Sequence, residues 1–344
     1  MSVLSTRLTE RYDCRYPFAC AGMAFAGEDP RLAIAVTNAG GIGALGVGVL
    51  PADTLRASIR AIREQVGDRP FNVNLITFFG NDDQVAVCAE ERVPITSFHW
   101  GHPPAHQLKA LADAGVSVWE QVGSAAAAEA AAADGVDVVI AQGQEAGGHN
   151  YGELPTLVNV PTIVDAVGDR AIVLAAGGIT DGRQAAAALC LGADGVWVGT
   201  RMVASAEANV HPEHHRRLVE ATGTETVLSS IYNPEWPEFN PMRLHRTRLV
   251  DEWNDRLPEV VAQRDSAEEI GSTPFLGFDT PLRRFDVMLP VPGTVADAEQ
   301  LPWLMGQGVG LIRDIKPAAE IVDGMMRQAE EVLTRFTRST RFPS

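Results

Sequence analysis

The chain has 344 residues, 46% of them hydrophobic and 21% charged, which supplies a large core and excludes a disordered protein. Its formal net charge of −16, with basic residues scattered rather than gathered into a stripe, argues against nucleic acid and anionic membranes as partners. No stretch reaches about 18 uninterrupted apolar residues and no apolar run follows a basic start, so neither a spanning helix nor a secretion signal is expected. In chain order, short apolar runs alternate with Ala-rich stretches of helical period. A strand is expected at 18–20, a helix at 30–38, a strand at 42–45, a helix at 51–65, and strands at 71–75 and 94–97. A helix at 104–114, a strand at 116–121, a helix at 124–133, strands at 138–141 and 172–175, a helix at 182–191 and a strand at 195–198 follow. Eight strands alternating with helices predict an α/β protein of the (β/α)8 TIM-barrel type.

Most of these strands end in a small residue or a Gly turn, so the C-terminal ends of the strands form the ligand face. Beyond Thr200 the regularity fails: 211–221 looks helical, 232–242 is rich in Pro, Asn and aromatics, and 274–302 reads as loop. An amphipathic helix at 317–336 then packs back on the barrel. The expected organisation is a barrel of residues 1–204 and 305–344 carrying an inserted, mostly helical or irregular lid, 205–304, that contributes to substrate binding.

The four cysteines, Cys14, Cys20, Cys88 and Cys190, show neither CxxC spacing nor the density of a disulfide scaffold, which points to a reducing cytoplasm. Of the 28 basic residues only Lys109 and Lys316 are lysines, so a lyase or aldolase barrel working through a Schiff base has no obvious nucleophile. His211, His214 and His215 share helical spacing but lack an acidic or cysteine partner, and no metal is expected.

Two turns carry anion chemistry. Ala175-Ala176-Gly177-Gly178-Ile179 follows a strand and precedes a helix, and Gly195-Val196-Trp197-Val198-Gly199-Thr200 repeats the design about twenty residues on. Backbone N–H groups at both can face one phosphate, as after strands seven and eight of such barrels. The stretch from Ala141 to Asn150, with Gly143, Gly147 and Gly148, frees the backbone to wrap a cofactor while presenting His149, whose imidazole titrates near neutrality and suits proton removal from a weak carbon acid. His99 and Trp100 follow the fourth strand and are read as pocket wall, Trp236 as a lid contribution to the same pocket, and Gln121 as an amide able to face a cofactor.

Ala141-Gln142-Gly143-Gln144-Glu145-Ala146-Gly147-Gly148-His149 resembles the AQGxEAGGH signature of the nitronate monooxygenase family. The likeness continues in Asn38 to Gly43, Pro70 to Leu75, Ala175 to Ile179 and Val198 to Arg201, and more weakly in Gly306 to Leu311. It implies an FMN-dependent barrel in which Asn74, Gln142, Gly147, Gly178 and the turn Trp197-Val198-Gly199-Thr200 contact the flavin, with the backbone at Gly22 and Met23 near its ring. Gly148, Ala176 and Gly177 belong to the same cofactor turns. The family's base corresponds to His149, its substrates are nitronates or nitroalkanes, and O2 completes conversion to carbonyl compound and nitrite.

The chain departs from the family in Cys20-Ala21-Gly22-Met23, which replaces a Gln-Ala-Pro-Met turn and is nearer the Gly-Gly-Met turn of flavin-dependent enoyl-acyl carrier protein reductases. A flavin-dependent NAD(P)H reductase of enoyl or quinone type therefore stands as the alternative, and a non-catalytic flavin-binding protein as a remote one. A homo-oligomer remains open.

Overall fold

The computed structural model describes residues 2–339; Met1 and 340–344, at the outer ends of the expected barrel, lie outside the described residues. Helix α1 (Arg7–Tyr12) precedes β1 (Phe18–Cys20), α2 (Pro30–Asn38), β2 (Gly43–Gly46), α3 (Ala52–Val66), β3 (Phe71–Ile76), α4 (Asp82–Glu90) and β4 (Ile95–His99). Then come α5 (Ala105–Asp113), β5 (Ser117–Val122), α6 (Ala125–Ala133), β6 (Val138–Gln142), the two-residue β7 (Gly148–His149), α7 (Thr156–Val167), β8 (Ile172–Ala176), α8 (Gly182–Cys190), β9 (Gly195–Val198) and the single turn α9 (Thr200–Val203). Eight of these strands form one parallel sheet in the order β1-β9-β8-β6-β5-β4-β3-β2, and a bridge between Ala19 and Ile42 joins its two edges. The expected barrel is present, and each of its strands overlaps the run that predicted it.

Alternation along the strands separates two apolar layers. Trp119, Ile140, Leu174 and Trp197 fill the barrel interior, whereas Val139, Val173, Val196 and Val198 face the surrounding helices. Helix α1, which no periodicity announced, plugs the N-terminal end: Leu8 packs into the interior and the Trp119 indole N–H donates to Tyr12 Oη at 2.8 Å. Helices α4 and α7 also escaped prediction. The second contains Pro161, which reads as a helix breaker although it falls in the first half of the helix.

Beyond α9 the chain builds α10 (Pro212–Glu220), β10 (Thr226–Ser229), β11 (Met242–His245), α11 (Arg248–Trp253), α12 (Leu257–Gln263), β12 (Glu269–Phe275), β13 (Phe278–Arg283) and β14 (Val295–Ala296). The stretch read as loop at 274–302 thus holds most of a hairpin, β12–β13, with β14 on its other edge. Its alternation is masked by Pro274, Gly277 and Pro281. Finally α13 (Ala318–Ser339) packs against α8 and α2 in the place of an eighth outer helix. Gly182 permits that contact, because a Cβ there would lie 2.2 Å from the Met325 carbonyl oxygen.

One buried cation holds the region after α9 together. Arg217 on α10 donates to Glu213 at 2.8 Å and Glu299 at 2.5 Å, meets His245 Nδ1 at 3.1 Å, and stacks over Trp303 at 5.3 Å. The Arg216 guanidinium, and after it that of Arg217, pulls the Glu213 carboxyl down to about 2 against a smaller upward push from burial. Replacing Arg217 by Met leaves these partners without their shared donor, and we expect a loss of about 2 kcal/mol, the scale of hydrogen bonds to charged groups. Glu299 is partly exposed and screened by solvent, which keeps the figure from being larger. A urea midpoint unchanged by Arg217→Met would show that the network contributes nothing net.

Candidate active site

A cavity of about 570 Å³ opens at the C-terminal ends of the barrel strands. Its wall has three sources. Strand ends and the turns just after them supply Gly22, Met23, Asn74, His99, Gln121, Gln142, Ala176 and Trp197; glycine turns supply Gly147, Gly148, Gly177, Gly178, Gly199 and Gly306; the region after α9 supplies Trp236 and residues between 275 and 290. His149 and Thr200 face the same space. Of the residues singled out by sequence, Val198 and Trp100 do not line it.

Val198 fails for a reason of period. It is fully buried on the outer face of β9 beside the helices, and its carbonyl accepts the Ala21 N–H at 2.9 Å. Trp100 instead stands behind His149. It is nearly buried, its ring meets the His149 ring edge-on at 5.2 Å and the Tyr151 ring at 4.8 Å, and its indole N–H donates to the Glu238 carbonyl. Its backbone φ of 67° is rarely adopted by a bulky side chain, a strain that marks an over-determined position.

The loop bearing His149 is fixed from several sides. Gln142 donates to the His149 carbonyl at 3.0 Å and accepts from the Tyr151 N–H at 3.4 Å, so its amide holds the loop as well as lining the cavity. Asn150 donates to the Gln144 and Ala146 carbonyls at 3.0 and 2.9 Å, and Glu145 accepts from the Thr156 N–H and hydroxyl at 2.8 and 2.9 Å at the start of α7. Gly148 and His149 pair with Arg243 and Met242 of β11, and the buried Arg243 guanidinium donates to the Gln144 carbonyl at 3.1 Å. Sequence reasoning missed Arg243 and Met242, which carry no local signal, and gave Asn150, the last residue of the Gly-rich stretch, no role of its own.

The glycines meet closely. A Cβ on Gly147 would sit 2.4 Å from the Gly306 nitrogen, and one on Gly306 would sit 2.7 Å from the Glu145 carbonyl oxygen. The Thr200 hydroxyl oxygen accepts the Gly306 N–H at 2.9 Å, and the Glu145 carbonyl accepts the Gln307 N–H at 2.9 Å. Gly177 and Gly178 adopt φ of 109° and 71°, open to glycine and strained for other residues. On the opposite side Gly22 lies against Asn74, whose Nδ2 donates to Ser97 Oγ at 2.7 Å.

Two further histidines line the cavity in neutral form. Burial pushes the His99 imidazole down to about 4 against a smaller upward pull from the Leu75 backbone, and its buried Nδ1 has no hydrogen-bond partner among the described residues. Burial likewise pushes His214 down to about 4; its Nε2 lies 3.0 Å from the Leu304 carbonyl oxygen. No helix of the described residues is long and apolar enough to cross a membrane.

A family model described as nitronate monooxygenase matches residues 5–82 and 76–328. A Mycobacterium tuberculosis protein named (3aS,4S,5R,7aS)-5-hydroxy-7a-methyl-1-oxo-octahydro-1H-indene-4-carboxyl-CoA dehydrogenase is 31% identical, over 95% of this chain and 96% of its own. A nitronate monooxygenase of Metarhizium robertsii is 34% identical, over 89% and 88%. Among solved structures, FabK from Thermotoga maritima superposes with a TM-score of 0.79 at 33% identity, covering 98% of this chain and 100% of that one.

His99 and His214 make stability depend on acid. Their folded-state pKa values lie below the roughly 6.5 of an unfolded histidine, so the unfolded chain binds more protons between about pH 6.5 and 4. Their contribution is complete above about 6.5 and is lost as pH falls toward 4. We expect the melting temperature to drop across that window, and His214→Gln to flatten the slope; an unaltered slope in the variant would show that His214 is not held neutral.

Proposed function

Because the chain belongs to the nitronate monooxygenase family, and is therefore a flavin-dependent oxidoreductase, we propose that it uses FMN and O2 to oxidise nitronates or nitroalkanes to carbonyl compounds and nitrite, with His149 as the base. The observation that carries this reading is the placement of His149 on a rigidly held loop at one cavity that glycine turns also line.

The residues present fit the cofactor. Gly147, Gly177, Gly178, Gly199 and Gly306 leave backbone accessible at one end of the cavity, and a Cβ on Gly199 would meet only Ala21 Cβ at 3.5 Å. That end suits a phosphate held by N–H groups without a cation. Asn74, Gln121, Gln142, Ala176 and Trp197 would hold the flavin body, and the backbone at Gly22 and Met23 would bound its ring. When bound, FMN supplies the electron acceptor that links the substrate to O2.

His149 would accept the α-proton of a nitroalkane. Its carbonyl bond from Gln142, its strand pairing with Met242 and the edge of Trp100 fix the imidazole before substrate arrives, the arrangement general-base catalysis requires. A neutral His99 with an unsatisfied Nδ1 is suited to a hydrogen bond with a polar head group. We further propose that residues 205–304 act as the lid of a barrel formed by 1–204 and 305–344.

A reductase reading retains two specific supports. The Cys20 to Met23 turn departs from the family pattern, and the M. tuberculosis relative is named a dehydrogenase of a carboxyl-CoA substrate.

The test is anaerobic mixing of flavin-loaded protein with ethylnitronate and, separately, with NADH and NADPH, followed by admission of O2. Bleaching by the nitronate and nitrite release on oxygenation are expected; bleaching by a nicotinamide alone would replace this reading with the reductase. For neutral nitroethane, His149→Asn should lower kcat/KM by about 10² to 10⁴-fold, the usual worth of a general base, with flavin content unchanged. With the preformed nitronate, which has no α-proton to lose, the same variant should lose far less.

A further inference from the structure

The cavity contains more than the glycine-walled end and the strand ends need. Its third wall is formed by Phe25 in the loop after β1 and by Phe275, Pro281, Met288 and Leu289 from β12, β13 and the segment that follows. Phe25 and Phe275 meet across the boundary between barrel and lid with ring centroids 5.9 Å apart. Phe25 holds a φ of 63°, again uncommon for a bulky residue, while its carbonyl accepts from Asn209 Nδ2 at 3.3 Å. The backbone is thus bent to keep this ring on the cavity wall.

Charge is distributed just as unevenly. Among the described residues no arginine or lysine lines any part of the cavity. At the glycine end an anion can be met by backbone N–H groups, but the lid wall presents apolar side chains instead. The carboxylates that reach the cavity are Glu28 and Asp286. Arg264 binds Asp286 at 2.6 Å and is thereby committed, while burial pushes the Glu28 carboxyl upward, against a smaller lowering from the Phe25 backbone. A second anion placed against this wall would lose its hydration and meet no cation, with the Thr280 hydroxyl as the one uncommitted side-chain donor there among the described residues, a cost that a neutral hydrocarbon escapes.

From this we infer that the lid wall is a tail pocket for a neutral, apolar substrate body, with Phe25 and Phe275 setting how much of it is accepted. The inference deepens the nitronate reading and rests on it for the head group. A small substrate bearing its own carboxylate is disfavoured, and each methylene buried against the lid adds affinity until the Phe25–Phe275 contact is reached.

The full-length, flavin-loaded protein is tested with primary alkyl nitronates from ethyl to octyl and with the nitronate of 3-nitropropanoate, reading kcat/KM from nitrite release. About a four-fold gain per added methylene over the first few steps is expected, equivalent to about 0.8 kcal/mol each. The 3-nitropropanoate compound should fall below propylnitronate. Phe275→Ala should reduce the gain per methylene, and Phe275→Arg should raise activity on the carboxylate-bearing nitronate relative to the alkyl series. A flat length series, or a preference for the carboxylate-bearing compound in the unaltered protein, overturns the inference.

If no nitronate of any length yields nitrite, the nitronate reading has failed. The pocket is then decided by binding alone, from the perturbation of flavin absorbance by n-alkanamides and n-alkanoates of matched length. Amides that tighten with length while alkanoates do not sustain the tail pocket, and equal affinities of the two series reject it. Retained flavin content and an unchanged melting curve in both Phe275 variants separate a pocket effect from loss of the fold.

Discussion

Gly148 and His149 are a strand because β11 gives them backbone partners. Two residues cannot hold a strand conformation unaided, and the register with Met242 and Arg243 fixes the direction in which the imidazole leaves the chain. Much of the site follows from that pairing. It ties the loop after β6 to the region after α9, places Arg243 over the Gln144 carbonyl, and leaves Trp100 and Gln142 to clamp the same loop from the barrel side. The barrel presents the histidine, and the region beyond it aims it.

The glycines solve a different problem, that of three chain segments needing the same space. Gly147 and Gly306 approach so closely that either Cβ would collide with backbone, and the Thr200 and Glu145 oxygens take the N–H groups of Gly306 and Gln307. Close approach here brings unsubstituted backbone to the cavity edge, and these two bonds hold the three segments together there.

The barrel was legible because period two, Ala-rich helices and small strand-ending residues all reported on local chemistry. The part of the cavity built by the Gly-rich turns was legible for the same reason. Val198 was misplaced because the turn was read as a unit, whereas alternation sends Trp197 inward and Val198 toward the helices. Trp100 was placed one layer too near the cavity: its position after β4 was right, but a φ of 67° turns the ring behind His149. The hairpin β12–β13 and the wall formed by Phe275 and Met288 left no local trace, since their role depends on a fold-back that composition does not encode. Helix α7 was hidden by Pro161, which tertiary packing tolerates.

The contact between Gly147 and Gly306 also dictates a sequence of events during synthesis. Every strand of the barrel has been made by Val198, yet the glycine that closes the loop carrying His149 comes more than a hundred residues later, after β11 has supplied its partner. Contacts of such separation carry a loop-closure cost and form late. A nascent chain can therefore own a finished scaffold while its chemistry is still unassembled, which withholds a reactive flavin site until the whole molecule is present to govern it.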